Sequence, residues 1–342
     1  MPFTISTQPF GPLATDSEPL TEYLLEHAET GEFVSILPGF GALLRRLVLR
    51  KGNDLRALIN APESPQALLA DESYASALLY PFPSRIRHGV YRFDGEAYAL
   101  PMNEPNRDNA LHGLVHGKPF SIVSEETTDT YARLMLRHDY GGELAGYPFP
   151  FALTVTYELI QANQLPFGSV TTDRMCALRV SYSALNTGTK SCPAAFGWHP
   201  YFTFSDESVD DLTLSLPART AIVLDGDMIP AGRQPVEQVA TISLRDRTLD
   251  TPFFIEPTVP STDGKSFAET VLTSPKTGVR LVVGQETGMG KLNFLVCYTP
   301  AGRDSMAIEP LTANVDAFNN GDGLTVLESG DSLDGTVWVR LD

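Results

Sequence analysis

Between Phe151 and Leu159 every odd position is apolar (Phe151, Leu153, Val155, Tyr157, Leu159) and every even one is small or polar (Ala152, Thr154, Thr156, Glu158). A period of two marks a strand with one face in the core, so a strand is predicted here. Shorter runs of the same character, Asp211 to Leu216, Lys291 to Tyr298 and Thr336 to Leu341, are flanked by Gly, Pro, Asp or Asn and predict further strands that turn back antiparallel. Leu20, Tyr23, Leu24 and His27 also fit helical spacing. The runs Glu22 to His27 and Glu32 to Leu37 fit a hairpin better, with Gly31 supplying the positive φ of a tight connection. Short helices are expected only between Pro62 and Tyr80, where Ser64-Pro65 offers an N-cap and a first-turn proline ahead of Ala67, Leu68 and Leu69. The stretch Glu256 to Thr277, with five Thr, three Pro and little periodicity after Val259, reads as an excursion within the domain.

Composition sharpens this into an all-β fold. Gly 27 and Pro 26 in 342 residues mean many turns, and 42% hydrophobic with 20% charged residues suits a chain that buries a core. At roughly 150 residues per domain the length would allow about two. No composition shift, repeat, low-complexity run or charged linker divides the chain, so a single large antiparallel β domain over residues 1–342 is expected. Lys plus Arg 25 against Asp plus Glu 42 gives a net charge of −17, the wrong sign for nucleic acid or an anionic membrane surface. With no apolar run of membrane length and no basic start with an apolar stretch behind Met1, a cytoplasmic protein is expected. Cys176, Cys192 and Cys297 are widely spaced and odd in number, and the chain has six His without a His/Cys cluster. Reduced thiols are therefore expected, with neither a metal nor another cofactor.

Four local sequences set charged or titratable side chains among turn residues and aromatics: Pro81-Phe82-Pro83-Ser84-Arg85-Ile86-Arg87-His88-Gly89, Asn109-Ala110-Leu111-His112-Gly113, Gly197-Trp198-His199-Pro200-Tyr201-Phe202, and Ile308 to Asn319 with Glu309-Pro310 near its start. His112 and His116 are four apart, a spacing that binds metal on a helix, but Gly113 and Gly117 argue against a helix and no adjacent Glu completes a metalloprotease pattern. His199 and Glu309 each precede a proline, which steers their backbone towards an extended conformation and their side chains outward from strands. Glu256-Pro257 shares that feature. Taken singly, these fragments favour the plainer reading, with His199 a histidine packed beside Trp198 and Glu309 the cap of a turn.

Together, in this order and with Gly146-Tyr147-Pro148-Phe149-Pro150-Phe151 ahead of the long strand, the four segments resemble the aldose 1-epimerase (galactose mutarotase) family. The resemblance runs from Gly31 and Gly41-Ala42 to Leu327-Glu328-Ser329-Gly330-Asp331. It implies a large β-sandwich with an open sugar-binding cleft and interconversion of the α and β anomers of a hexose such as galactose or glucose. By motif, His199 falls at the general acid, Glu309 at the general base, His112 at a second active-site histidine and Arg85 at a substrate-binding arginine. Asp250, in Thr248-Leu249-Asp250-Thr251-Pro252-Phe253, matches a hydroxyl-binding aspartate. The family commonly has Asn where Ser84 precedes the arginine, and a more polar run where Pro193, Ala194 and Ala195 precede His199.

Anomerisation needs one acid and one base. With reference pKa values of about 6.5 and 4.3, neutral solution would leave Glu309 ionised and His199 roughly a quarter protonated, giving a bell-shaped pH profile with an acidic limb from the carboxylate and a basic limb from the imidazole. Arg85, His112 and Asp250 would hold hydroxyls, and Trp198, Tyr201 and Phe318 either offer a flat face to the sugar or belong to the core. Two alternatives stand beside this reading: a hexose 6-phosphate mutarotase using the local basic cluster Arg85, Arg87 and His88, and a carbohydrate-binding protein without turnover.

Overall fold

The computed structural model describes residues 1–15, 17–165, 175–204, 206–236, 241–256, 259–260 and 264–342. Strands dominate, and every strand pair among these residues is antiparallel. The N-terminal third opens with a five-stranded meander of neighbours in chain order, Phe3–Pro12, Pro19–His27, Glu32–Leu37, Leu43–Lys51 and Asp54–Ala57. His27 pairs with Glu32 across the expected hairpin, and Gly31 takes φ 73° in its turn.

A ten-stranded sheet forms the main layer. Its centre runs Tyr131–Tyr140, Phe151–Gln161, Cys176–Asn186, Ser332–Leu341, Arg280–Thr287 and Ser266–Thr273. The alternation read between Phe151 and Leu159 is realised: all five odd residues enter the main core, while Thr154 and Thr156 stay partly exposed. That core also takes Leu25, Val34 and Leu47 from the meander, and the phenol of Tyr157 donates to the carbonyl of Ala42 at 2.8 Å. An eight-stranded sheet contributes Leu295, Cys297, Met306 and Ile308 to the same core. Its central members are Asp250–Ile255, Phe294–Tyr298 and Met306–Leu311. The inner face of the large sheet is thus covered by two others, a sandwich whose shared core removes apolar side chains of all three sheets from water.

Several expectations shift at their edges. The run from Asp211 begins in a 3-10 turn, Val209–Asp211, before strand Thr213–Ser215, and the run from Lys291 becomes a strand only at Phe294–Tyr298. The predicted helix is Pro65–Ala70, capped by Ser64, whose Oγ accepts the Ala67 N–H at 3.1 Å. A second, Ala317–Asn320, was not predicted: it is a single turn set between left-handed Asp316 and Gly321, too short to show a period. The excursion predicted for Glu256 to Thr277 is corrected. Residues 257–258 and 261–263 lie outside the described residues, but Ser266–Thr273 is a strand of the large sheet. Its Ala268 and Leu272 enter the main core while Phe267 packs in a second cluster. A strand covered on both faces loses its alternation. The three cysteines are free and buried. Among the described residues no helix is long and apolar enough to cross a membrane.

Candidate active site

Strand Met306–Leu311 is buried along its whole length because both faces are covered. Alternation sends Met306 and Ile308 into the main core and turns Ala307, Glu309 and Leu311 to the opposite face. On that face Val296 lies across from Glu309, and Pro252 across from Val296, while Asp250 and Tyr298 form the adjacent row. The other edge of the strand pairs with two short pieces: Gly197 stands opposite Leu311, and Tyr201 opposite Ala307. Carried through the gap between them, that register sets His199 opposite Glu309 on the same face, where facing Cβ atoms are about 5 Å apart.

Both residues precede a proline, and Pro200 and Pro310 have no N–H to give to a ladder. His199 turns to another partner instead. Its N–H donates to the Ala77 carbonyl at 3.0 Å, and its carbonyl accepts the Ser76 N–H at 2.9 Å. Held in this way, His199 Nε2 lies 3.3 Å from Glu309 Oε1, with side chains only 7% and 4% exposed.

The opposite wall comes from the first two motifs, which pair as a two-stranded ribbon with Arg85 opposite Leu111. Ser84 and His112, just beyond the ribbon, are both left-handed, with φ of 56° and 62°. They clamp each other: the His112 N–H donates to the Ser84 carbonyl at 2.9 Å, and the Ser84 N–H donates to His112 Nδ1 at 3.3 Å. A neutral imidazole accepting at Nδ1 carries its proton on Nε2. Gly113 follows with φ 76°, and a Cβ there would lie 2.4 Å from the Tyr80 carbonyl oxygen, so the turn that delivers His112 requires glycine.

These walls enclose a cleft of about 470 Å³. All five residues singled out in the sequence, Arg85, His112, His199, Asp250 and Glu309, line it, joined by Tyr74, Ser84, Arg107, Tyr201 and Tyr298. The rings of His112 and His199 meet edge to face at 5.2 Å, and Tyr201 stacks on His199 at 5.1 Å. Of the three aromatics offered as a flat face, Tyr201 lines the cleft while Trp198 and Phe318 belong to the core.

Sequence reasoning missed Glu104. Its carboxylate accepts from Arg85 Nε at 3.0 Å and Nη2 at 2.9 Å, from Arg107 at 3.1 Å and from Asn109 at 2.9 Å. Such a fork fixes the plane of the Arg85 guanidinium and leaves Nη1 for a ligand. Burial alone would raise the Glu104 carboxyl, but the bonds from Arg85 and Asn109 outweigh it and hold it below the usual carboxylate range. Its signal in sequence is faint: Glu104-Pro105 is one more pre-proline acid. The basic cluster Arg85, Arg87 and His88 is not one patch, since Arg87 turns to Asp225 and Asp227 while Arg85 faces Glu104.

Burial decides the resting charges. It pulls His199 down to about 4 and His112 well below its ordinary value, with His199 and Arg85 adding to the effect. It pushes Glu309 well above the carboxylate range; the Asp250 carboxylate adds to this and Arg85 opposes it. Asp250 is itself raised by burial. Burial thus favours the neutral forms of both groups, a carboxyl that keeps its proton beside a neutral imidazole. This reverses the charges expected from reference values, which assume both groups in water.

The family model for aldose 1-epimerase matches residues 23–340 of the chain. The uncharacterized protein YihR of Escherichia coli K12 is 28% identical over 269 residues, covering 75% of this chain and 76% of its own. Among solved structures, a galactose mutarotase-like protein from Clostridium acetobutylicum superposes with TM-score 0.81 at 17% identity, over 99% of this chain and 98% of its own. Galactose 1-epimerase from Lactobacillus acidophilus does so with TM-score 0.75 at 19% identity, over 99% of both chains.

Proposed function

The chain belongs to the aldose 1-epimerase family, and from that premise we propose that it interconverts the α and β anomers of an unphosphorylated hexopyranose, with His199 and Glu309 as the proton-transfer pair. The observation that carries this reading is the 3.3 Å contact between the two side chains on the floor of a cleft whose walls bear Arg85, His112 and Asp250.

Ring opening breaks the bond between C1 and the ring oxygen. The proton of the C1 hydroxyl goes to a base, the ring oxygen takes a proton from an acid, and an open-chain aldehyde results. Rotation about C1–C2 presents the other carbonyl face, and both transfers run backwards. A pair holding one proton always contains one acid and one base. Transfer of that proton across the 3.3 Å contact gives imidazolium and carboxylate, the form in which His199 donates and Glu309 accepts. Opening the ring then leaves neutral imidazole and carboxylic acid, the arrangement that burial favours. The low-dielectric floor thus favours ring opening from the imidazolium–carboxylate form, and the same burial sets a cost on reaching that form from the resting neutral pair. Arg85, oriented by Glu104, and His112, donating from Nε2, suit hydroxyl oxygens, while Asp250 accepts from a hydroxyl.

Among the described residues the arginines at the cleft and in the basic cluster are already paired with carboxylates, which favours a neutral sugar over a 6-phosphate. Arg85 and Arg107 share Glu104, and Arg87 is taken by two aspartates. The test is anomer exchange followed by NMR or polarimetry on freshly dissolved α-glucose, α-galactose and glucose 6-phosphate. Acceleration on a free hexose exceeding that on the phosphate is expected. No acceleration on any aldose, with binding retained, would leave only the carbohydrate-binding alternative.

A further inference from the structure

The segment from Asp71 to Ala77 takes no part in the proton transfers, yet it holds unusual backbone. Tyr74 has φ 57° and Ser76 φ 60°. A left-handed conformation costs about 1–2 kcal/mol for a residue with a Cβ, and for a bulky one it is a genuine outlier. The surrounding bonds impose it from both ends. Asp71 accepts the N–H groups of Ser73 and Ala75, each at 3.0 Å, and Ser76 and Ala77 bond the backbone of His199. The effect is to carry Tyr74 into the cleft wall, its ring tilted against His112 at 4.7 Å and His116 at 4.9 Å. Strain kept at a cleft is a reason to look for a use.

The hydroxyl indicates one. Asn103 Nδ2 donates to the Tyr74 oxygen at 2.9 Å and to the Leu111 carbonyl at 3.0 Å, while its Oδ1 accepts the Leu111 N–H at 2.7 Å. The Leu111 N–H fixes which end of the amide is oxygen, and both Asn103 N–H bonds are then spent. Tyr74 is left as an acceptor towards Asn103 with its own hydrogen still to give. Burial pushes the phenol above its ordinary value, so that hydrogen is present at neutral pH. The same Asn103 ties the phenol to Leu111, the last residue of the strand that His112 follows, so donor and histidine are held in fixed relation.

We propose that Tyr74 is a specificity residue whose hydroxyl donates a hydrogen bond to one hydroxyl of the bound sugar. This rests on the reading of the cleft as an aldose site and adds a donor beyond Arg85 and His112. The test is Tyr74→Phe, which keeps the ring against both histidines. Anomer exchange is measured on the hexose accepted by the wild type and on its 2-, 3-, 4- and 6-deoxy analogues. On the parent sugar kcat/KM should fall about fivefold to tenfold, the worth of one neutral hydrogen bond, chiefly through KM. On one deoxy analogue the penalty should vanish. Unchanged kcat/KM on the parent sugar, or the same penalty on every analogue, would overturn the proposal. A wild type that accelerates no aldose would count against the enzyme reading alone; hexose titrations of wild type and Tyr74→Phe would still decide the hydroxyl contact, equal affinities refuting it.

Discussion

The large sheet and the cleft are built from the same kind of strand and treat it in opposite ways. Phe151–Gln161 pairs with Cys176–Asn186 through eleven consecutive registers without a bulge. Met306–Leu311 pairs on one edge with Phe294–Tyr298, but its partner on the other edge is broken at His199-Pro200 into two short pieces. Around the cleft, Tyr74, Ser84 and His112 are left-handed, and neither of the two long strands contains a non-glycine residue with positive φ. Regular pairing satisfies every backbone group and stabilises. Interruption frees backbone to aim side chains and allows two titratable groups to be buried face to face. The first region therefore governs whether the chain folds, and the second what it does.

Substitutions can separate those duties. The largest effect is expected for His199→Asn, which should lower kcat for anomer exchange by about 10²-fold or more, the usual share of one positioned proton-transfer group, with little change in thermal stability. Turnover within a few-fold of wild type would remove His199 from the chemistry. Leu153→Ala should do the reverse. Leu153 is fully buried in the core, so unfolding free energy from urea titration should fall by about 2–5 kcal/mol, with kcat of the folded fraction unchanged. A catalytic defect at constant stability would show that the two regions are not separable. Glu309→Gln sharpens the contrast with a smaller effect. A carboxyl raised in the folded state binds a proton that the unfolded chain has lost, so its contribution to stability declines as pH rises from the unfolded carboxylate pKa through the folded one. Gln removes that cost, and Tm at neutral pH should rise, by about 0.5–2 kcal/mol in equivalent stability, while exchange slows, as expected for a proton-transfer group. A drop in Tm would mean the ionised carboxylate stabilises the fold.

The same contrast explains what could be read in the sequence. The strand from Phe151 was legible because one of its faces is half exposed, whereas Ser266–Thr273 was hidden by burial on both sides. His199 and Glu309 stood out by motif and by their prolines, and the register that joins them required the fold. Glu104 and Tyr74 escaped because each acts through partners supplied by the fold. The forked bond from Arg85 and the Asn103 contact across the cleft wall leave no period or spacing in the chain. Resting charge was misread for a related reason: residue type gives a group's pKa in water, while its surroundings set the shift.

The most direct test of the shared-proton pair is the pH dependence of kcat/KM. With His199 taking up a second proton at about 4 and Glu309 raised above the carboxylate range, the acidic limb should lie at about 4 and belong to the imidazole. His199→Asn should abolish the acidic limb. An acidic limb that persists unchanged in His199→Asn would assign it to the carboxylate and contradict the account.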